Sequence, residues 1–216
     1  MKFRHVPVEL ITYPRVNIGG KRHYQIGHRC FPSITTVLGS TSDKSYLQEW
    51  RNRVGDDAAN RITANSAGRG TNLHKMCEDY LNNESLSIKM PDALEMFYSI
   101  KPTLNRINNI HAQEACLYSD MLKIAGSVDC IAEYDSVLSV IDFKNARRTK
   151  TEENIHDYFL QETFYALAYQ EMTGTKIQQI VTIIAVEDDR PQVFVKQIRP
   201  YIKDLVERRK QFKKIA

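Results

Sequence analysis

The chain has 216 residues, 42% of them hydrophobic and 26% charged, a balance ordinary for one water-soluble globular domain with room for a substantial core. A formal charge of +4 permits a polyanionic partner without requiring one, and Cys30, Cys77, Cys116 and Cys130 stand too far apart for a C-x-x-C metal motif, reading instead as buried thiols of a reducing compartment. No stretch is apolar enough to span a membrane and the first residues lack the apolar run of a signal peptide, so the expectation is a cytoplasmic protein (host cytoplasm for a viral chain) with no membrane partner.

Residues 6–26 predict a β-hairpin: a strand over 8–13, a turn near Asn17-Ile18-Gly19-Gly20 and a return strand over 21–26. Ser33, after Phe31-Pro32, is placed to N-cap a short helix. The alternative for its hydroxyl, together with the helix N-terminus, is to receive a phosphate. Residues 43–64 predict a helix with Leu47, Trp50, Val54, Ala58 and Ile62 at spacings of three and four. Trp50 reads there as a core residue rather than a base-stacking platform, and Arg51, Arg53 and Arg61 as a solvated face. Gly68 and Gly70 then punctuate the chain, and Thr71 is placed to cap a helix running to Leu81. His74 and Glu78 share one side of it; a histidine so placed is ordinarily structural, with metal ligation the alternative. Residues 91–108 predict another helix, kinked at Pro102.

From His111 the pattern turns to strands: 112–118, which carries Glu114, then 123–125, then a hairpin over 126–144 folded about Asp135-Ser136. Asp129 and Asp142 stand equally far from that turn, so a two- or four-residue loop sets them opposite each other with Cβ atoms roughly 4.5–5.5 Å apart, whereas an odd-length loop would put them on opposite faces. Lys144 shares their face because strand side chains alternate. Two opposed like charges destabilise a sheet unless something cationic lies between them. A hard divalent cation with oxygen ligands meets that need, and Mg²⁺ commonly takes one or two carboxylates plus phosphate oxygens. The Lys144 ammonium would then stabilise charge on a phosphate or orient a water. The bland alternative is an exposed hairpin face with ordinary surface charges, and Glu114 is either a further ligand or an edge glutamate.

A basic cluster follows, Arg147-Arg148-Thr149-Lys150, suited to a phosphate backbone or simply solvated. Residues 154–173 predict a helix ended by Gly174, from which Gln161 and Tyr165 project together. The apolar run 177–186 predicts a buried strand, and a strand, helix and strand in that order favour parallel pairing with a right-handed crossover. A turn at Asp188–Pro191 leads into an edge strand near 193–195, and a basic helix over 200–214 closes the chain as a solubilising cap.

Four motifs, Gly70-Thr71-Asn72-Leu73-His74, Gly126-Ser127-Val128-Asp129, Asp142-Phe143-Lys144 and Gln161-Glu162-Thr163-Phe164-Tyr165, resemble the GxxxH, GxxD, DxK and QxxxY motifs of the PD-(D/E)xK nuclease superfamily, in its RecB-like exonuclease branch. Phe31–Leu38, Leu47–Arg51 and Asp129–Tyr134 look like the mitochondrial genome maintenance exonuclease family and its phage and bacterial relatives. The likeness covers residues 30–186; one departure is Asn145-Ala146, where many relatives carry Thr-Ser.

The resemblance implies an α/β fold: a restriction-endonuclease-like core with a mixed central β-sheet flanked by helices, plus an N-terminal hairpin and a helical arch-like elaboration. It implies one nuclease domain over 1–216, with a peripheral β-hairpin in 1–30, a helical region in 31–110, the nuclease core in 111–198 and a C-terminal helix in 199–216. The activity implied is metal-dependent exonucleolytic hydrolysis of DNA phosphodiesters at single-stranded ends, in replication, recombination or repair. Asp129, Asp142 and Lys144 would be catalytic, Lys144 orienting or deprotonating the attacking water. One or two Mg²⁺ or Mn²⁺ ions would be held by Asp129, Asp142, the main-chain carbonyl of Phe143 and His74, with Glu114 as a further candidate. Ser33, Arg147, Arg148, Gln161 and Tyr165 would contact DNA, and replication or recombination proteins are candidate partners. A catalytically silent DNA-binding or recombination module and a structure-specific endonuclease stay open as alternatives on the same core.

Overall fold

A five-stranded sheet ordered β4-β5-β6-β7-β8 organises the computed structural model, which describes residues 2–215. Strands β4 (Ile107–Ser119), β5 (Ile124–Tyr134) and β6 (Val137–Ala146) form an antiparallel meander. Strand β7 (Gln179–Val186) pairs parallel with β6, and β8 (Gln192–Gln197) returns antiparallel at the edge. The parallel step needs a long crossover, and helix α5 (His156–Thr173), entered through a 3-10 turn at Glu153–Ile155, supplies it.

Both faces of the sheet are covered. On one, helices α1 (Ile34–Thr41), α5 and α6 (Ile202–Ile215) bury Ile34, Leu160, Phe164 and Leu205 against Val128, Ile131, Val140 and Ile184. On the other, α3 (Asp56–Leu81) and α4 (Pro91–Leu104) bury Leu73, Met76, Phe97 and Ile100 against Cys130, Ile141, Phe143 and Val181. Burial of each such side chain contributes about 1.5–3 kcal/mol, and burial on two sides is why β7 reads as a near-continuous apolar run, broken after Gln179 only by Thr182. None of the helices is long and apolar enough to cross a membrane among the described residues.

The β5–β6 turn is the predicted two-residue one. Asp135 (φ 50°) and Ser136 (φ 66°) are both left-handed, as a type I′ hairpin requires. Neither is glycine; the Arg106 guanidinium pairs with the Asp135 carboxylate, its Nε donating at 3.0 Å, and offsets that strain. The register runs as predicted from Tyr134↔Val137 to Cys130↔Ile141.

Other elements depart from expectation. The N-terminal hairpin is a three-stranded sheet, β1 (Arg15–Ile18), β2 (Lys21–Ile26) and β3 (Arg29–Pro32). Residues 8–13 form no strand: Val8 and Leu10 pack directly on the core instead of pairing. Helix α2 (Ser45–Val54) stops at Gly55, whose φ of 84° suits glycine alone, and α3 then runs unbroken through Gly68 and Gly70. Gly70 serves close packing, because a Cβ there would stand 2.9 Å from Asn145 Oδ1. Thr71 is therefore no cap; its hydroxyl donates to the Ala67 carbonyl at 3.1 Å. Helix α2 has no buried residue, so Trp50 is half-buried rather than core. Helix α4 ends at Leu104, and the strand expected at 123–125 is continuous with the first limb of the hairpin, as β5. Cys30 is exposed. The closing helix is fastened rather than merely solvated: Arg208 donates to Thr41, Leu38 and Asp157, and Arg209 to the Leu122 carbonyl.

Candidate active site

Strands β5 and β6 part in mid-sheet. Their ladder ends at Cys130↔Ile141, one pair short of Asp129 and Asp142, so the direct opposition predicted for the two aspartates is not made. Released from the ladder, the Asp129 carboxylate accepts the Phe143 N–H at 2.9 Å. The same oxygen lies 3.4 Å from His74 Nδ1 on α3. Glu114 of β4 sits between the Gln113↔Cys130 and Ala115↔Val128 pairs, opposite Asp129. Its φ of 46° is an irregularity a glutamate adopts only at a cost, and its Oε1 stands 4.0 Å from His74 Nδ1. His74, Glu114 and Asp129 thus each offer a ligand atom within 4.8 Å of the others.

Asp142 stands outside that trio. It is 1% exposed, its Oδ2 is paired with the Lys144 ammonium, and its Oδ1 has no hydrogen-bond partner among the described residues. Lys144 Nζ lies 5.2 Å from the centroid of the Tyr158 ring on α5, a cation–π contact that helps fix the amine. Nothing in the sequence marked Tyr158 beyond its place in the helix predicted over 154–173.

Burial opposes ionisation of Asp129, but the His74 imidazole, Lys144 and the Phe143 N–H outweigh it and hold this carboxyl down to about 2. Burial pushes Asp142 up to about 6, with Lys144 opposing and the Asp129 charge adding to the rise. For His74, burial disfavours the imidazolium, yet Asp129 overrides it and raises the pKa above the ordinary value. Lys144 follows the same logic: burial is overcome by Asp142 and Asp129, and the amine stays protonated. Burial and the Asp129 charge raise Glu114. An ionised carboxylate, two further carboxyls (one with an orphaned buried oxygen) and an imidazole make a donor set that fits a hard divalent cation.

Two residues predicted to contact DNA are occupied elsewhere. Ser33 is 1% exposed, and its hydroxyl accepts the Thr36 N–H at 3.0 Å and bonds the Thr35 and Thr36 hydroxyls. Capping consumes it. Tyr165 is 2% exposed and packs on Gly126, where a Cβ would come within 2.9 Å of its ring and hydroxyl. That contact gives the glycine ahead of Asp129 its physical reason. The Tyr165 hydroxyl instead accepts from Gln161 Nε2 at 3.3 Å, steadying the half-buried Gln161. Arg147 and Arg148 are exposed. Two adjoining hollows of about 600 and about 640 Å³ share Trp50, Ile62, Arg147 and Lys150; the first reaches Lys144 and Tyr158, the second Arg148.

Glu162 escaped the sequence reading. It is fully buried, accepts a hydrogen bond from the Thr182 hydroxyl, and has a pKa well above the ordinary value through burial and the charge of Asp142. The available signal was Thr182, a polar residue inside the apolar run of β7 and paired with Asp142 in register.

The profile of the PD-(D/E)XK nuclease superfamily matches residues 28–215. Mitochondrial genome maintenance exonuclease 1 of Mus musculus is 28% identical over 172 residues, 74% of this chain and 51% of that protein. The Homo sapiens protein of the same name is 30% identical over 143 residues (62% and 40%), and that of Xenopus tropicalis 27% over 145 (63% and 41%). The chain spans about half or less of the length of these curated relatives.

Proposed function

The chain belongs to the PD-(D/E)XK nuclease superfamily, and from that premise we propose a Mg²⁺- or Mn²⁺-dependent exonuclease that hydrolyses DNA phosphodiesters at single-stranded ends, in replication, recombination or repair. The observation that carries this reading is the meeting of the His74–Glu114–Asp129 cluster with the buried Asp142–Lys144 pair where β5 and β6 part. Asp129, Asp142 and the Phe143 main-chain carbonyl would hold the ion, with His74 and Glu114 completing its surroundings or serving a second one. An ion held there would supply Lewis acidity toward a phosphate and its leaving oxygen.

Lys144 acts as a donor. Its raised pKa keeps it an ammonium while Asp129 and Asp142 carry their charges unneutralised, the form that orients the attacking water and stabilises negative charge on the phosphate. Gln161, steadied by Tyr165, and the exposed Arg147 and Arg148 hold the strand beside it.

The test is nucleotide release from linear single-stranded DNA over a range of Mg²⁺ and Mn²⁺. Wild type releases nucleotides and Asp142→Ala does not. Equal inertness of both would replace the enzyme by a silent DNA-binding module, and cleavage of circular single strands would make it an endonuclease.

A further inference from the structure

We propose that Trp50 is the base-stacking platform of a single-strand path that leaves the site on the Lys144 side; the chemical identity of the strand rests on the nuclease reading. Helix α2 buries none of its residues, yet it carries Tyr46 (64% exposed), Leu47 (38% exposed) and the half-buried Trp50. Its apolar side chains therefore do not serve the core. Trp50 forms a wall of both hollows, with Ile62 of α3 beside it, and Lys144 and Tyr158 line the same hollow as Trp50. A chain lying in that hollow meets both the indole and the ammonium of the site, which line it together.

The charge of the walls selects the occupant. Arg53, Arg147, Arg148 and Lys150 line the hollow beyond Trp50, against Glu187 and Asp188. Glu187 is already paired, with Arg69 at 2.9 Å and with Arg147 at 3.4 Å, so the surplus is positive. Cations interleaved with an aromatic face are what a single-stranded polynucleotide requires: phosphates take the cations, and an unpaired base takes the ring. A duplex keeps its bases stacked inside and offers the indole nothing.

Trp50 is the sole tryptophan of the chain, so its emission reports on the platform directly. The full chain, with Ca²⁺ in place of the active metal, is titrated with oligothymidylate and with an abasic oligonucleotide of equal length. Saturable quenching by the oligothymidylate and none by the abasic strand is expected. Followed by the fluorescence anisotropy of a dye-labelled oligothymidylate, which needs no tryptophan, Trp50→Ala raises the Kd roughly 5- to 150-fold, the worth of one base–aromatic stack, and Trp50→Phe raises it less. Equal quenching by both strands, no quenching by either, or a Kd for Trp50→Ala within twofold of wild type overturns the platform. The two readings fail separately. Quenching in a chain that releases no nucleotide sinks the exonuclease and leaves the platform standing, whereas nucleotide release without quenching does the reverse.

Discussion

Gly126→Ala adds a single methyl group at the most crowded backbone position near the site. Its Cβ would stand 2.9 Å from both Cε1 and the hydroxyl of Tyr165 and 3.1 Å from Ile34 Cγ2, where carbon contacts normally settle at about 3.5–4.0 Å. Neither neighbour can yield, since Tyr165 is 2% and Ile34 0% exposed. Overpacking of this kind costs about 1–3 kcal/mol, and replacing a strand glycine returns about 0.5–1 kcal/mol of chain entropy. At mid-range values the net loss is about 1.25 kcal/mol, within bounds of about 0 and 2.5, which for a chain of this size lowers the Tm by roughly 2.5–5 °C. Thermal unfolding followed by circular dichroism reads it. Nucleotide release should fall as well, because a displaced Tyr165 no longer steadies Gln161. In Gly126→Ala/Tyr165→Phe the clashing hydroxyl is gone, and the double variant should lose less than the sum of the singles. A Gly126→Ala protein that melts at or above wild type would refute this packing argument.

Lys144→Ala removes an ammonium but no metal-ligating oxygen, so calorimetry should find Mn²⁺ affinity kept or tightened while turnover drops roughly 10²–10³-fold; weakened binding would contradict the donor role. Glu162→Gln probes the buried acid. Its folded pKa lies well above the ordinary 4.5, so the stability it contributes is full below about pH 4.5 and is lost as pH rises through the folded value. Glutamine keeps an acceptor for Thr182 with no charge to bury. Melting curves should therefore coincide near pH 4.5 and separate as pH rises, with the variant the more stable; a gap of the same size at every pH would remove the titration from the explanation.

The hairpin was legible because two runs rich in Val and Ile flank a short polar turn, and the turn length fixes the register. Its opening at Asp129 was not, because it depends on partners from other elements: the Phe143 N–H, His74 on α3 and Glu114 at its irregular φ. Gly68 and Gly70 looked like helix breaks, as local propensity of about 1 kcal/mol each suggests. Burial of Leu73, Met76 and Cys77 in the same helix outweighs that, and the close approach to Asn145 explains why Gly70 stays small. Asn145 itself donates to the Ser66 carbonyl at 3.1 Å and ties β6 to α3. Trp50 shows the limit of periodicity. Spacing identifies an apolar face, but only the packed neighbours decide whether anything covers it.

Nuclease chemistry at this site depends most on Asp129 gathering a divalent cation with His74 and Glu114 beside the Asp142–Lys144 pair. Isothermal titration of Mn²⁺ into wild type and Asp129→Ala, both checked for an intact metal-free melt, puts this to the test. Saturable binding in wild type, weakened at least about 10-fold in the variant, is the predicted result; no binding in wild type, or equal affinity in both proteins, would contradict it.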